Sequence, residues 1–124
     1  MSQLDLDSNT AGYQIRAYKP GFIQINDKIL TTSIIIAPTR LIENWAPQTL
    51  AELTAAALAE AVVWKPTILL LGTGSHLQFP AIEIYGDIIN QGIGIEIMDT
   101  SAACRTYNAL VAEDRNVVAA LIIR

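Results

Sequence analysis

The sequence predicts an α/β protein: a three-layer domain with a mixed, largely parallel central sheet and an N-terminal antiparallel β meander. Short runs made only of apolar residues, such as 34–37 and 68–71, indicate strands that are buried on both faces. After Trp45 the spacing of apolar residues changes from strand-like to helical. From that point helices and strands alternate, which favours parallel strands because these need crossover connections.

The first third of the chain contains β-forming runs separated by turn residues. Residues 13–18 and 22–25 flank Lys19-Pro20-Gly21, and a Pro-Gly pair between two such runs predicts a hairpin. The run 28–37 follows as the next strand segment, and residues 41–45 end the meander. Two further turns separate these segments: Asn26-Asp27 and Pro38-Thr39-Arg40.

The first predicted helix follows Trp45 and is rich in alanine, which favours helix. Thr49 and Glu52 have the spacing of a capping box, in which a hydroxyl and a carboxylate each satisfy a free backbone N–H. The helix is therefore expected to begin at this pair and to end before Pro66. The residues that recur at helical spacing in this segment are Leu53, Ala57, Leu58 and Ala61.

Two more helices are expected in the second half of the chain. Pro80 suits the first turn of the second helix, and Gly92 suits the left-handed position after its end. The third helix is expected over residues 101–112. The side chains expected on the inner side of the second helix are Ile82, Tyr85, Ile88 and Ile89. The strands expected around these helices are 67–71, 93–98 and 117–123.

Length and composition argue against several classes of protein. The 124 residues suit one domain, expected at residues 13–124 behind a flexible N-terminus at residues 1–12. The net charge of −4 is spread along a chain that lacks the density of Lys and Arg needed to neutralise phosphates, so we expect no nucleic-acid partner. Cys104 and His76 are single residues of their types, so neither an internal disulfide nor a conventional metal site is expected.

The lengths of the apolar runs and the character of the N-terminal residues predict the cellular location of the protein. Each apolar run is far shorter than the roughly 20 residues that cross a bilayer, so no membrane span is expected. Residues 1–10 are polar and acidic and resemble neither a secretory signal nor a transit peptide, so we expect a cytoplasmic protein. No cofactor is expected, because no motif in the sequence indicates one.

The first candidate site is the loop Gly72-Thr73-Gly74 after a buried strand. Glycines there let backbone amides approach an anion, and the start of a following helix favours negative charge. A dinucleotide fingerprint requires a third glycine three positions on, where this chain has Leu77, so nucleotide binding is weakly indicated. The alternative is a tight turn that simply needs glycine dihedral angles.

The second candidate site is the start of the third helix. Thr100 suits the N-cap, and Asp99 beside it is favoured by the helix dipole. Arg105 and Asn108 are three residues apart and share a face of the helix. If the two strands before these loops are parallel, both loops lie at the same edge of the sheet, where open α/β sheets bind ligands. The predicted pocket for a carboxylate or phosphate comprises Gly72, Thr73, Gly74, Asp99, Thr100, Arg105 and Asn108.

Simpler interpretations exist for each of these residues. Asp99 and Arg105 can instead form an ion pair with each other, or with Arg115 and Asp114, since such pairs are common and weak when exposed. Cys104 near a helix start is either a thiol with a lowered pKa or, more commonly, a small buried apolar residue. Two further groups have no defined role: His76, which has no identified catalytic partner, and the tryptophans Trp45 and Trp64, expected at the core edge or an interface.

The two junctions together resemble a known family. They read Leu70-Leu71-Gly72-Thr73-Gly74 with Phe79-Pro80, and Met98-Asp99-Thr100 with Ala103, Arg105-Thr106-Tyr107-Asn108 and Leu110. The chain is similar, from about Tyr13 onward, to the small domain family of unknown function that includes mitochondrial complex I assembly factor 3 and the adipogenesis-associated domain protein. The resemblance implies a three-layer fold with a mixed sheet, and it implies assembly-factor activity for the mitochondrial members. This chain looks like a free-standing prokaryotic member.

Two functions follow as alternatives. The first is a protein-binding or assembly-factor-like module, which predicts an exposed apolar patch, with Trp45 or the N-terminal meander as the expected contributors. The second is a protein or enzyme that binds a small anion in the crevice between residues 72–74 and 99–105. The sequence defines no catalytic set, because its single histidine has no partner that the chain order identifies.

Overall fold

The computed structural model describes residues 12–124, so the flexible segment predicted at residues 1–12 lies outside the described residues except for Gly12. The strands are β1 Ile15–Lys19, β2 Phe22–Ile25, β3 Lys28–Leu30, β4 Ile34–Ala37, β5 Arg40–Ile42, β6 Ile68–Gly72, β7 Gly94–Met98 and β8 Val117–Leu121. The helices are α1 Ala55–Val62, α2 Ile82–Asn90 and α3 Thr100–Ala112, with a short 3-10 helix at Leu50–Glu52.

The strands form two sheets. Strands β1, β2 and β3 form an antiparallel sheet in chain order, and the other five form a mixed sheet in the order β5-β4-β8-β6-β7. In the mixed sheet β8, β6 and β7 are parallel, whereas β4 is antiparallel to both of its neighbours. Four of its five strands therefore run in one direction, which confirms the largely parallel central sheet with an antiparallel β element before it.

Side chains alternate between the two faces of the five-stranded sheet, which produces three layers. One face packs against α3 and the three-stranded sheet, and the other packs against α1 and α2. In β6, for example, Leu70 faces α3 while Leu69 and Leu71 face α1 and α2. Because both faces are covered, the strands are almost entirely apolar, as the sequence indicated.

The first hairpin forms where it was predicted. Lys19 pairs with Phe22 across Pro20-Gly21, and Gly21 has a φ of +88°, which the third position of a type II turn requires. The predicted strand segment 28–37, however, is divided into β3 and β4, which belong to different sheets. The apolar content of the segment shows burial but does not show that the chain crosses from one layer to another between residues 30 and 34.

The predicted start of the first helix is wrong by one turn. Thr49 and Glu52 bracket only the 3-10 helix, and Thr49 makes no side-chain cap. Leu53 adopts an extended conformation and is buried in the core, which breaks the helical path. Helix α1 begins after Thr54, whose hydroxyl accepts a hydrogen bond of 3.1 Å from the N–H of Ala57.

The predicted inner face of the second helix is partly wrong. Tyr85 and Ile88 pack toward the core together with Ile84, whereas Ile82 and Ile89 are exposed. The inner face thus contains Ile84 in place of Ile82 and Ile89, because an apolar stripe can be drawn in more than one way in an isoleucine-rich segment. The end of this helix is as predicted, since Gly92 has a φ of +82°.

Candidate functional site

The glycine loop lies at the end of β6, where its backbone is closely packed. A Cβ atom on Gly72 would lie 2.8 Å from the Thr100 hydroxyl and 2.9 Å from a methyl of Leu121. Gly74 has a φ of +100°, and a Cβ there would lie 2.6 Å from the carbonyl oxygen of Arg124. Both glycines are therefore required by close approach and backbone conformation, whatever else the loop does.

The amides of this loop are already hydrogen-bonded within the protein. The N–H of Thr73 donates to the carbonyl of Met98 at 2.9 Å, and that of Ser75 donates to the carbonyl of Arg124 at 2.9 Å. The N–H of Gly74 donates to the Thr100 hydroxyl at 2.8 Å. These three amides are the groups that a phosphate-binding loop would direct at its ligand, and here they join the loop to the neighbouring chain segments.

The start of α3 is capped by a different residue from the one predicted. Asp99, not Thr100, is the N-cap, and its carboxylate accepts a hydrogen bond of 2.9 Å from the N–H of Ala102. Asp and Thr are both good N-caps, so adjacent residues of these types leave the boundary open in the sequence.

Thr100 is fully buried and bridges two chain segments. Its hydroxyl accepts from Gly74 and donates to the carbonyl of Ile122 at 2.6 Å, while its own N–H donates to the carbonyl of Gly74 at 2.9 Å. Thr100 thus holds the loop, the helix start and the segment after β8 together. The structure brings Gly72, Gly74 and Thr100 together as predicted, in a packed junction that leaves no space at these atoms.

Arg105 and Asn108 lie beside β1, where they line a cavity together with Ser101 of the first turn of α3. The Asn108 amide donates to the carbonyl of Ile15 at 2.7 Å and accepts from its N–H at 3.2 Å, which anchors β1 on the helix. Arg105 is exposed and donates to the Ser101 hydroxyl at 2.8 Å. Within residues 12–124 it has no ion pair with Asp99, and Arg115 lies 3.9 Å from Glu113 rather than pairing with Asp114 or Asp99.

Cys104 is buried, which agrees with its interpretation as a small apolar residue among alanines. Burial raises the pKa of its thiol to about 12, although Arg105 acts in the opposite direction. A thiol with this pKa is protonated at neutral pH, so it is a poor nucleophile. Trp45 is also fully buried, with its indole N–H donating to the carbonyl of Ala57 at 3.0 Å, so it contributes nothing to an exposed patch.

A cavity of about 210 Å³ adjoins the glycine loop and is lined in part by Thr73, Ser75 and His76. Two further grooves lie on the surface of the described residues. We call the first the apolar groove; it has a volume of about 500 Å³ and lies between the 3-10 helix and the loop before α2. Leu77, Phe79 and Ile82, in or beside this loop, are exposed. The residues that line the apolar groove are Leu50, Ala51, Leu53, Gln78, Phe79, Pro80, Ala81 and Ile84.

We call the second the cationic groove, because Arg16, Lys19 and Arg105 line it; it lies between β1 and the first turns of α3. It consists of two cavities of about 260 Å³ and 210 Å³ that share Tyr18 and Ser101 in their linings. The sequence did not predict the apolar groove, although an apolar Leu77 and Phe79 within a loop rich in polar residues were an available signal. Three residues of the predicted anion pocket, Gly74, Arg105 and Asn108, line the cationic groove, whereas the contribution of β1 to it was not predicted.

The fold and these surfaces define a small three-layer α/β domain whose strand-to-helix junction is packed and whose grooves lie beside it. The chain belongs to the family described as protein of unknown function (DUF498/DUF598), which it matches over residues 15–122. The crystal structure of a Bordetella parapertussis protein superposes with a TM-score of 0.86 and 37% identity, covering 92% of this chain and 98% of that one. The predicted family and fold are therefore confirmed.

Several curated relatives carry functional or descriptive names. NADH dehydrogenase [ubiquinone] 1 alpha subcomplex assembly factor 3 of Danio rerio is 30% identical over 115 residues, which is 91% of this chain and 66% of the relative. The 13 kDa major membrane protein of Francisella tularensis subsp. holarctica is 42% identical over 58 residues, 47% of each chain. The chain thus spans less than two thirds of the length of these curated relatives.

Between Gly12 and Arg124, none of the helices has both the length and the apolar character needed to cross a bilayer. The same residues include no group of three or more His, Cys, Asp or Glu side chains placed to hold a metal ion.

Proposed function

We propose that this chain is a protein-binding, assembly-factor-like module whose partner docks on the apolar groove. The observation that carries the proposal is the exposure of Phe79 and Ile82, 68% and 56% respectively, beside a groove of about 500 Å³. Large apolar side chains that are grouped and exposed in this way mark interaction surfaces in monomeric proteins. The assembly-factor name of the Danio rerio relative supports a protein as the occupant.

The groove suggests the chemistry of the partner. Its lining has no charged side chain among the described residues, so the buried part of the partner is apolar. Glu52 and Glu83 are exposed and adjoin the lining residues in the chain, which favours Lys or Arg at the rim of the partner. The proposed occupant is therefore an amphipathic segment of another protein, apolar on one side and basic at its edges.

Site-specific crosslinking tests this proposal in living cells. A photoreactive phenylalanine analogue at position 79 is expected to crosslink one discrete partner, because this side chain lies at the groove. The matched control is the same analogue at Val63, which is equally exposed at 68% but lies at the end of α1 outside the groove lining. Crosslinks of equal yield from both positions, or none from position 79, would contradict the proposal. A product of twice the chain mass would instead show self-association.

A second pair of variants tests the same groove by substitution. Ile82→Ser is expected to lower the crosslink yield from position 79 about fivefold, since Ile82 is exposed beside the apolar groove and truncation of an apolar anchor residue costs about 1 kcal/mol or more. Ile29→Ser is the control, because Ile29 is 57% exposed but lies on β3 in the other sheet. Both side chains are exposed, so neither variant is expected to change the free energy of unfolding by more than about 0.5 kcal/mol.

We also propose that the chain acts in the cytoplasm. Its single cysteine is a free buried thiol, which is typical of proteins from reducing compartments. Cell fractionation of the tagged, full chain is expected to recover it in the supernatant with a cytoplasmic marker. The alternative outcome is association with the membrane, since the Francisella relative is named a major membrane protein. Sedimentation with membranes that persists after a high-salt wash would overturn the cytoplasmic assignment.

A further inference from the structure

The cationic groove combines a concave shape with unpaired positive charge. Arg16 and Arg105 line one of its cavities, and Lys19 lines the other. The two cavities meet at Tyr18 and Ser101, so the cations lie in the two halves of one continuous groove. These are three of the eight Lys and Arg residues of an acidic chain with a net charge of −4.

No carboxylate compensates these cations in the lining. Among the described residues, neither cavity is lined by an Asp or Glu side chain. The ion pairs of the described chain, Lys28 with Glu43 and Arg115 with Glu113, lie outside the groove. The carboxylate of Asp99 lies close enough to act on Tyr18 and Cys104 of the lining, and it accepts the cap hydrogen bond from Ala102. With three cations in its lining and this one carboxylate beside it, the groove keeps an excess of positive charge that an anion would neutralise.

A β-bulge in β1 accounts for the position of Arg16 in the groove. The register of β1 against β2 shifts between Ile15 and Ala17, so Arg16 is the extra residue of a β-bulge. A bulge interrupts the alternation of side chains along a strand and redirects the extra one. Asn108 on α3 holds the backbone of Ile15, immediately before the bulge, through two hydrogen bonds. Arg16 and Arg105 thereby line the same cavity, although they lie on different elements.

We propose that the cationic groove binds a small molecule with two anionic groups, phosphoryl or carboxylate, one in each cavity. Arg16 and Arg105 would hold one group in paired, charge-assisted hydrogen bonds, and Lys19 would hold the other as a point charge. The hydroxyls of Ser101 and Ser75 in the lining add neutral hydrogen-bonding groups. Cavities of about 260 Å³ and 210 Å³ suit a small ligand better than an acidic protein segment. This site is separate from the apolar groove and does not depend on it.

Titration of the purified full chain, followed by amide chemical shifts in ¹H–¹⁵N spectra, tests the proposal. The probes are inorganic phosphate, pyrophosphate and succinate, each compared with sodium chloride at equal ionic strength. Saturable shifts are expected at residues 16–19 and 101–105 with pyrophosphate or succinate. Pyrophosphate, with two phosphoryl groups, is expected to bind about tenfold more tightly than phosphate. A preference for pyrophosphate over succinate would identify a phosphoryl ligand, and the reverse a dicarboxylate.

Substitutions test whether the side chains of the cationic groove bind the anionic probe. Arg105→Gln and Lys19→Gln are expected to weaken binding of the preferred probe at least about tenfold, because each removes one charge contact. Arg115→Gln, which removes an exposed cation outside the groove, is expected to leave the dissociation constant unchanged. The spectra of all variants report whether they remain folded. Equal weakening by Arg115→Gln, no saturable shift with any probe, or binding of an acidic peptide alone would overturn the proposal. None of these results bears on a partner at the apolar groove.

Discussion

Replacing Trp45 with alanine is expected to lower the free energy of unfolding by about 4 kcal/mol. The indole ring is fully buried on the face of the central sheet that α1 and α2 cover. Its N–H donates to the carbonyl of Ala57, and its backbone N–H donates to the carbonyl of Ser33 at 2.9 Å. Truncation would leave a cavity at the junction of the 3-10 helix, α1 and β4. Urea unfolding followed by far-ultraviolet circular dichroism measures the change without depending on tryptophan fluorescence.

Trp64→Ala is the matched control for this prediction. Trp64 is only half-buried, with the Arg40 guanidinium 5.7 Å from its ring centroid, so its removal is expected to cost about 1–2 kcal/mol. If Trp45→Ala does not fold, Trp45→Phe keeps most of the apolar volume and still reports on the site, with an expected loss of about 1–2 kcal/mol. Equal losses for the two alanine variants would show that Trp45 is not the core residue described here.

Thr100→Val is expected to lower the free energy of unfolding by about 3 kcal/mol. Valine keeps the shape of threonine but has no hydroxyl, so the N–H of Gly74 and the carbonyl of Ile122 would both lose their buried partner. Each such group costs about 1–3 kcal/mol when it is left unpaired. Urea unfolding gives the overall loss, and faster hydrogen exchange at the Gly74 amide locates it in the loop.

Two controls separate the hydroxyl from other effects of substitution at Thr100. Thr100→Ser keeps the bridging hydroxyl and is expected to cost only about 1 kcal/mol for the lost methyl group. Thr106→Val makes the same exchange of side chains on the same helix at a partly buried position and is expected to change stability by at most about 0.5 kcal/mol. A loss for Thr100→Ser equal to that for Thr100→Val would mean that packing, rather than the two hydrogen bonds, explains the effect.

Local sequence patterns predicted only part of the candidate site. The pattern correctly brought Gly72, Gly74 and Thr100 to one edge of the sheet, because the C-terminal ends of β6 and β7 meet there. It could not show that the amides of Thr73 and Ser75 are occupied by Met98 and Arg124, since those partners lie 25 and 49 positions away in the chain. The anion site is therefore proposed at the cationic groove, which adjoins the junction at Gly74.

The sequence by itself determined the class of fold and most of the elements, apart from the division of residues 28–37 into two strands and the separate 3-10 helix. Turn residues such as Pro20-Gly21, the apolar runs and the helical periods are local signals, and they act through the conformations of a few neighbouring residues. The same locality explains the errors at Thr49 and Ile82, where two starts or two faces satisfy the local pattern equally well. Packing chose between them, through the burial of Leu53 and Ile88.

Tertiary structure alone decided the strand order, the closed junction and the two grooves. Strand β8, the last in the chain, lies at the centre of the sheet between β4 and β6, and no local pattern specifies this position. Arg16 and Arg105 line one cavity although 88 intervening residues separate them in the chain. The physical reason is common to all three: contacts between distant residues depend on how complete elements pack, and their energy is not contained in any one segment.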